Sequence, residues 1–517
     1  MGRDLSRRDV LKRLLGATGI GTAIGFSSVA YDRTARAGAR PVEKFRTALP
    51  IPPILRPVRS DATTDFYEVT ERPASVEILP GVQTIVWGYD GQFPGPTIKA
   101  RRGRKAVVRF INKLVVPTVV HLHGGVTPAE SDGFPTDLIV PADFPADLPI
   151  CGATPSISNL LREGKSRPPD FKIHEFPNDQ RAATLWYHDH AMGWTGRNVY
   201  MGLAGFYLIE DPDEAALGLP SGGFDIPLMI CVRQFDADGS LRYDMRGHLG
   251  AQGDVVLVNG APWPRLAVQR RKYRFRILNA ANASTFALAL GSGRDLIQIA
   301  TDAGLMAQPV AGACIPLAMA ERVEVVIDFA DYPVGSSVAL QNLDTSGAPA
   351  EIMRFDVVGP GVKDYSIVPQ RLAVIEPLRP ESAVRTREFK FVNDFEWALN
   401  FPPVSWNING KPFDPDRVDA APPLGDVEIW RLVHPRTIFP GLHPHPAHLH
   451  LVHFQILERN GKPPPPHEAG WKDTVKLAEG DDVRIIARFD GHRGRYLLHC
   501  HNVEHEDHHM MARFDVV

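Results

Sequence analysis

Cysteine is scarce in this chain, with four in 517 residues, which excludes a small scaffold held by disulfides. Charge of either sign is not in excess: 57 Lys and Arg stand against 60 Asp and Glu, a net charge of −3. Nothing in that balance calls for nucleic acid or an anionic membrane as partner. Long apolar runs are also missing. The one weakly apolar stretch, Leu14 to Ala30, is interrupted by Gly16, Gly19, Gly21 and Gly25, and no other segment could span a bilayer. The ten methionines are scattered, with no Met-rich insertion.

What is present is turn chemistry and histidine. With 44 Gly and 46 Pro breaking many short β-rich runs, the pattern is that of all-β sandwiches. A chain of 517 residues exceeds one hydrophobic core, so two to four domains are expected.

The C-terminus carries the most informative segment, HCHNVEHEDHHM from His499 to Met510. In an extended strand successive side chains point to opposite faces, so Cys500 faces one way and His499 and His501 the other. One short strand can therefore serve two metal sites. His505 and Met510 follow at a spacing that lets a loop fold back and complete a trigonal site with a long axial thioether. That is the ligand set of a blue-copper centre. Three further clusters share the alternation: His121 and His123 in VVHLHGG, His188 and His190 in LWYHDHAMGW, and His445, His448 and His450 in HPHPAHLH. A single His-x-His is weak evidence, equally at home on a surface; four such clusters in one chain are not.

Through LHGGVTPAESDG, LWYHDHAMG, HPxHLH, GWKDTV and HCHNVEHED, the chain from about Val76 onward resembles the three-domain multicopper oxidases, most of all the bacterial spore-coat laccase, bilirubin oxidase and phenoxazinone synthase group. The resemblance implies three cupredoxin-like Greek-key β-sandwich or barrel domains and four copper ions. It implies a type 1 copper on His445, Cys500 and His505 with Met510 axial, and a type 2 copper on His121 and His448. It implies a type 3 pair on His123, His188, His190, His450, His499 and His501. Asp132 and Glu506 match the acidic residues that relay protons in this group, although an Asp before Gly also commonly just caps a turn. The implied activity is one-electron oxidation of phenols or aromatic amines coupled to four-electron reduction of dioxygen to water. A small-molecule reductant and dioxygen are then the partners. The division of labour makes chemical sense, because a buried mononuclear centre takes one electron at a time and Cys500 is linked covalently to ligands of the second site on both sides.

Alternatives remain at this level. A periplasmic cuprous oxidase is encouraged by ERNGKPPPPHEAGWKDTV but opposed by the scattered methionines and by Gly441 where that subgroup carries an acidic residue. Bilirubin oxidase-like activity is a further option. A copper-free scaffold is disfavoured because every ligand position is filled.

A diverged internal repeat accompanies these clusters. GYDGQFPGPTI precedes Val107 to Asn112, VNGAPWPRLAV precedes Tyr273 to Ala280, and the stretch Asn407 to Asp414 precedes Val427 to Val433. The expected units are 38–213, 214–358 and 387–517, with a linker at 359–386. Because only the first and third units carry ligands, the histidine cluster is expected at their interface, with the second as a spacer. Residues 1–37 read as a twin-arginine signal peptide: Ser6-Arg7-Arg8-Asp9-Val10-Leu11-Lys12 is close to the consensus and Ala35-Arg36-Ala37 is a cleavage site. This predicts a monomer exported by that machinery to the periplasm or beyond, without stable membrane insertion.

With Cys500 assigned, Cys151, Cys231 and Cys314 are odd in number; Cys231 and Cys314 either pair or sit buried as small apolar residues. His443, His453, His508 and His509 fall outside the ligand register and are expected to be exposed or to border the sites. The Pro463 to Pro466 run is expected as a stiff loop, either near the type 1 site or merely connecting.

Overall fold

The computed structural model describes residues 42–148, 157–244, 249–344, 346–359, 363–393, 406–436 and 444–517. The twin-arginine segment, Cys151, Gly441 and His443 lie outside these residues.

Six sheets pair into three sandwiches. In the first, a five-stranded sheet containing Thr64–Glu77 and Lys105–Asn112 faces a four-stranded sheet ordered Gly95–Arg101, Ala204–Glu210, Ala183–Asp189, Val120–His123. The second joins a seven-stranded and a five-stranded sheet, and the third a five-stranded sheet and a four-stranded one ordered Thr474–Leu477, His445–Leu449, Gly494–Cys500, Met511–Val516.

The repeat seen in the sequence has a structural counterpart in each sandwich. The opening strand pairs in parallel with the strand after the repeated turn: Thr64–Glu77 with Lys105–Asn112, Asp225–Arg233 with Lys272–Asn279, and Arg385–Asn393 with Val427–Val433. The turns themselves, Asp90-Gly91, Asn259-Gly260 and Asn409-Gly410, have both residues at positive φ, as type I′ hairpins require. Each turn is pinned the same way. The Asp90, Asn259 or Asn409 side chain accepts the backbone N–H of Thr70, Met229 or Lys390 at 2.9, 2.8 and 2.7 Å. An Asx side chain thus caps the opening strand wherever the chain reverses.

Alternation decides which face of each strand enters a core. On Lys105–Asn112 it runs true, with Ala106, Val108 and Phe110 buried in the first sandwich. Ala183–Asp189 is buried on both faces. Leu185 and Tyr187 enter the first core, while Trp186 packs against Met229, Leu278 and Ala320 of the second sandwich, so His188 looks out of the first sandwich toward its neighbours. The chain start also crosses over: Phe45 and Leu49 N–H groups donate to the Trp263 and Arg265 carbonyls, and Leu49 joins the second core.

Cys231 and Cys314 are unpaired. Cys231 is buried in the second core on Asp225–Arg233, whereas Cys314 is exposed in the turn before Ile315–Leu317, so the disulfide alternative is not realised and only Cys231 is packed as a small apolar residue. The proline run leads into Pro466–Glu468, where the His467 carbonyl accepts the Gln298 amide at 3.0 Å. That loop packs on the second sandwich. Among the described residues, no helix is long and apolar enough to cross a membrane.

Candidate metal centre

Parity along two adjacent strands builds two sites back to back. On Gly494–Cys500, Tyr496, Leu498 and Cys500 enter the third core while Leu497 joins the first, which turns His499 toward the first sandwich. On His445–Leu449, Ala447 and Leu449 enter the third core, so His445 shares their face and His448 takes the other. The register then places Ala447 opposite Cys500 and His448 opposite His499.

Inside the third sandwich, Cys500 Sγ lies 3.4 Å from His445 Nδ1 and 3.7 Å from His505 Nδ1, and the two nitrogens are 3.1 Å apart. This is a closed triangle of one sulfur and two imidazoles, fully buried. The short helix Val503–Asp507 delivers His505, and Asn502 caps it by accepting the Glu504 and His505 N–H groups. Asn502 N–H points at Cys500 Sγ at 3.4 Å. Met510 is fully buried, and its backbone closes the loop: Met510 N–H donates to His505 O, and Cys500 N–H to Met510 O.

Across the strand, eight histidines converge between the first and third sandwiches. His121 pairs with His188 across Val120–His123 and Ala183–Asp189, and these face His448 and His499. Nε2 atoms meet in pairs: His121 with His448 at 3.4 Å, His188 with His501 at 3.4 Å, and His499 with His190 at 3.3 Å and His450 at 3.1 Å.

The outer nitrogens of seven rings lie against oxygen. Nδ1 of His121, His188, His448 and His499 meets the backbone carbonyl of Asp132, Asp189, Asp473 and Cys500. His450 Nδ1 meets Asp132 Oδ2 at 2.7 Å, and His190 Nδ1 lies 3.2 Å from Glu506 Oε1. His123 is reversed, with Nε2 3.1 Å from Asp473 Oδ1 and Nδ1 left without a partner. Bonding one ring nitrogen to an oxygen fixes the neutral tautomer and turns the lone pair of the other inward. Lone pairs in contact repel one another unless cations lie between them. The buried, unpartnered Nδ1 of His123 makes the same point, and the donor set fits copper.

Electrostatics agree. Burial, reinforced by neighbouring imidazoles, drives His121, His188, His448, His450 and His501 well below the ordinary histidine range, and burial with the nearby Arg322 does so for His123. All six are therefore held neutral, the form in which an imidazole can bind a metal. The two acids differ. Burial holds Asp132 protonated well above the usual carboxylate range, whereas at Glu506 burial is outweighed by His190 and His499, which bring it down to about 2.

The eleven histidine and cysteine positions read from the sequence fall in these two clusters, both acids border the histidine cluster, and Met510 is buried in the same core as Cys500. Asp132 is fully buried against His450 and does more than cap a turn, although Gly133 after it does adopt φ +85°. His453, His508 and His509 are half-buried bystanders, His453 bridging the Gly124 carbonyl and the Arg181 guanidinium. Four contributors were not legible. Trp406 stacks on His505 with centroids 3.7 Å apart, His434 packs on His445 at 4.3 Å, and Asp473, held by Arg322, touches both His123 and His448. GWKDTV marked Asp473 as unusual without saying what it meets.

Residues 71–143 and 165–214 match one multicopper oxidase family pattern and residues 386–517 a second. A laccase of Bacillus subtilis is 38% identical over 539 aligned residues, covering 92% of this chain and 99% of that protein. A bilirubin oxidase of Albifimbria verrucaria is 37% identical, covering 91% of this chain and 81% of its own length. The crystal structure of a laccase from Pediococcus acidilactici superposes with a TM-score of 0.80 at 29% identity, covering 92% of this chain and 96% of that one. With its three cupredoxin-like sandwiches and two buried ligand clusters, the chain belongs to the multicopper oxidases, copper-dependent oxidoreductases that use dioxygen as acceptor.

Proposed function

We propose that the chain is an exported laccase-type oxidase in which His445, Cys500, His505 and Met510 would hold the type 1 copper. His121 and His448 would then hold the type 2 copper, and His123, His188, His190, His450, His499 and His501 the type 3 pair. The observation that carries this is the reversal at Cys500: its sulfur faces one ligand triangle while the imidazole of the preceding residue faces the other cluster.

When bound, copper supplies one-electron acceptance at the thiolate and four-electron reduction of dioxygen at the eight-histidine cluster. The chain's own residues do the rest. The Cys500 backbone joins the two sites through His499 and His501, so a reductant never has to reach the cluster. Asp132, hydrogen-bonded to His450, would hold a proton at the edge of the cluster, and Glu506, kept ionised between His190 and His499, would accept one and pass it on. Burial of all eight rings excludes bulky reductants and leaves the cluster to dioxygen.

The division into 38–213, 214–358 and 387–517 with a linker at 359–386 is supported by the three sheet pairs, and export by Ser6 to Lys12 and Ala35 to Ala37. Phenols and aromatic amines are the proposed reductants of a monomeric enzyme. The test is an absorption spectrum of the copper-loaded protein followed by oxygen uptake with a phenol and with Cu(I). An intense visible thiolate band with faster phenol oxidation supports this reading; faster Cu(I) oxidation replaces it with a cuprous oxidase; no band after full loading refutes the ligand assignment.

A further inference from the structure

The second sandwich contributes none of the clustered histidines, yet one of its side chains reaches their supports. Arg322, first residue of Arg322–Asp328, is completely buried. All five of its guanidinium donors are used. Nε donates to the Thr184 carbonyl of the first sandwich at 2.9 Å. The two terminal nitrogens grip both oxygens of Asp473 in the third sandwich at 2.7 and 2.5 Å. The remaining two donors meet the Ala320 and Asp302 carbonyls at 3.1 and 3.0 Å. One side chain thus ties together all three sandwiches.

Asp473 passes that constraint on. Its Oδ1 accepts from His123 Nε2 at 3.1 Å and from the Thr474 hydroxyl at 2.9 Å, and its backbone carbonyl accepts from His448 Nδ1 at 2.9 Å. His123 is the ring whose Nε2 is taken by oxygen, and so the ring that must offer Nδ1 inward. The fit is tight. Gly124, at φ +83°, backs onto the pair, and a Cβ there would lie 2.7 Å from both the Arg322 guanidinium and Asp473 Oδ2. A carboxylate free to rotate could accept from His123 in several poses; one clamped in a two-pronged guanidinium bond cannot.

We propose that Arg322 is a positioning residue for the eight-histidine cluster, clamping Asp473 so that His123 presents Nδ1 and His448 presents Nε2. The inference rests on the copper reading above. On this view the second sandwich is more than a spacer, since it fixes ligand tautomers across two domain interfaces.

The test compares R322M and R322K with R276M, which removes a second buried interdomain arginine that bonds Asp225, Thr184 and Glu324 rather than a cluster support. Because R322M strands a buried carboxylate, the double variant R322M/D473L is made alongside it, removing both charges together. Each copper-loaded protein is dialysed against a graded chelator, and copper per chain and the visible thiolate band are read.

R322M and the double variant are expected to keep the thiolate band while cluster copper binds about 10- to 100-fold more weakly, the usual cost of losing a partner that orients a ligand. R322K should fall between, and R276M should keep its copper. Unchanged copper affinity in a folded R322M would overturn the inference. So would parallel loss of copper in R276M, which would reduce Arg322 to interdomain packing. A wild-type chain that takes up no copper would instead refute the reading on which the inference rests.

Discussion

Trp406 lies flat on the His505 ring, with centroids 3.7 Å apart and planes 24° from parallel. The same indole meets the His445 ring edge-on at 5.5 Å, so one fully buried side chain braces both imidazoles of the Cys500 triangle. Trp406→Phe keeps an aromatic face and should leave the thiolate band nearly intact. Trp406→Ala opens a cavity costing about 3–5 kcal/mol and frees both rings. A weaker, shifted visible band in the alanine variant alone is the expected result; identical spectra in both would show that the stack does not hold the ligands.

Cys500→Ser removes the only thiolate of the triangle while keeping its shape. Visible colour and oxidase activity should vanish, with the circular dichroism of a folded β protein retained. Oxygen uptake surviving the change would overturn the assignment of electron entry to this side chain.

Asp132→Asn and Glu506→Gln keep volume and hydrogen-bonding atoms but abolish proton exchange at a carboxyl. Turnover with dioxygen should fall by about 10²- to 10⁴-fold in each. Anaerobic bleaching of the thiolate band by a phenol should keep its rate, because neither acid touches Cys500. Equal losses in both half-reactions would mean that the substitutions disturb the ligands rather than proton supply.

Glu71 is fully buried on Thr64–Glu77, with one oxygen accepting the Thr118 hydroxyl and the other unpartnered. Burial raises its carboxyl from 4.5 to about 8, with Asp189 adding to the rise and the Thr118 bond opposing it. Because the folded pKa is the higher one, the folded state holds the proton longer. Below the unfolded value Glu71 therefore carries no penalty; stability falls as pH rises between the two values and is lowest above the folded one. Glu71→Gln should stabilise the fold at pH about 9 by on the order of 2–4 kcal/mol, read as a higher thermal midpoint, and change little at pH about 4. A pH-independent difference between the two midpoints would refute the buried-acid account.

Much of the metal centre was legible because strands have a period of two. His445 stands an odd number of residues from His448 and His450, and Cys500 one residue from His499 and His501, so the sequence alone separates the two sites. The repeat was equally legible, because Asp-Gly and Asn-Gly pairs report positive-φ turns wherever they stand. Which ring nitrogen faces inward was not. That choice at His123 depends on Asp473, 350 residues away, and on Arg322, a further 151 residues removed from Asp473. The stack of Trp406 on His505 and the separation of Cys231 from Cys314 were illegible for the same reason. Local spacing fixes the face of its own strand on which a side chain lies; what stands opposite is decided only when three sandwiches close on one another and their buried polar groups must all find partners.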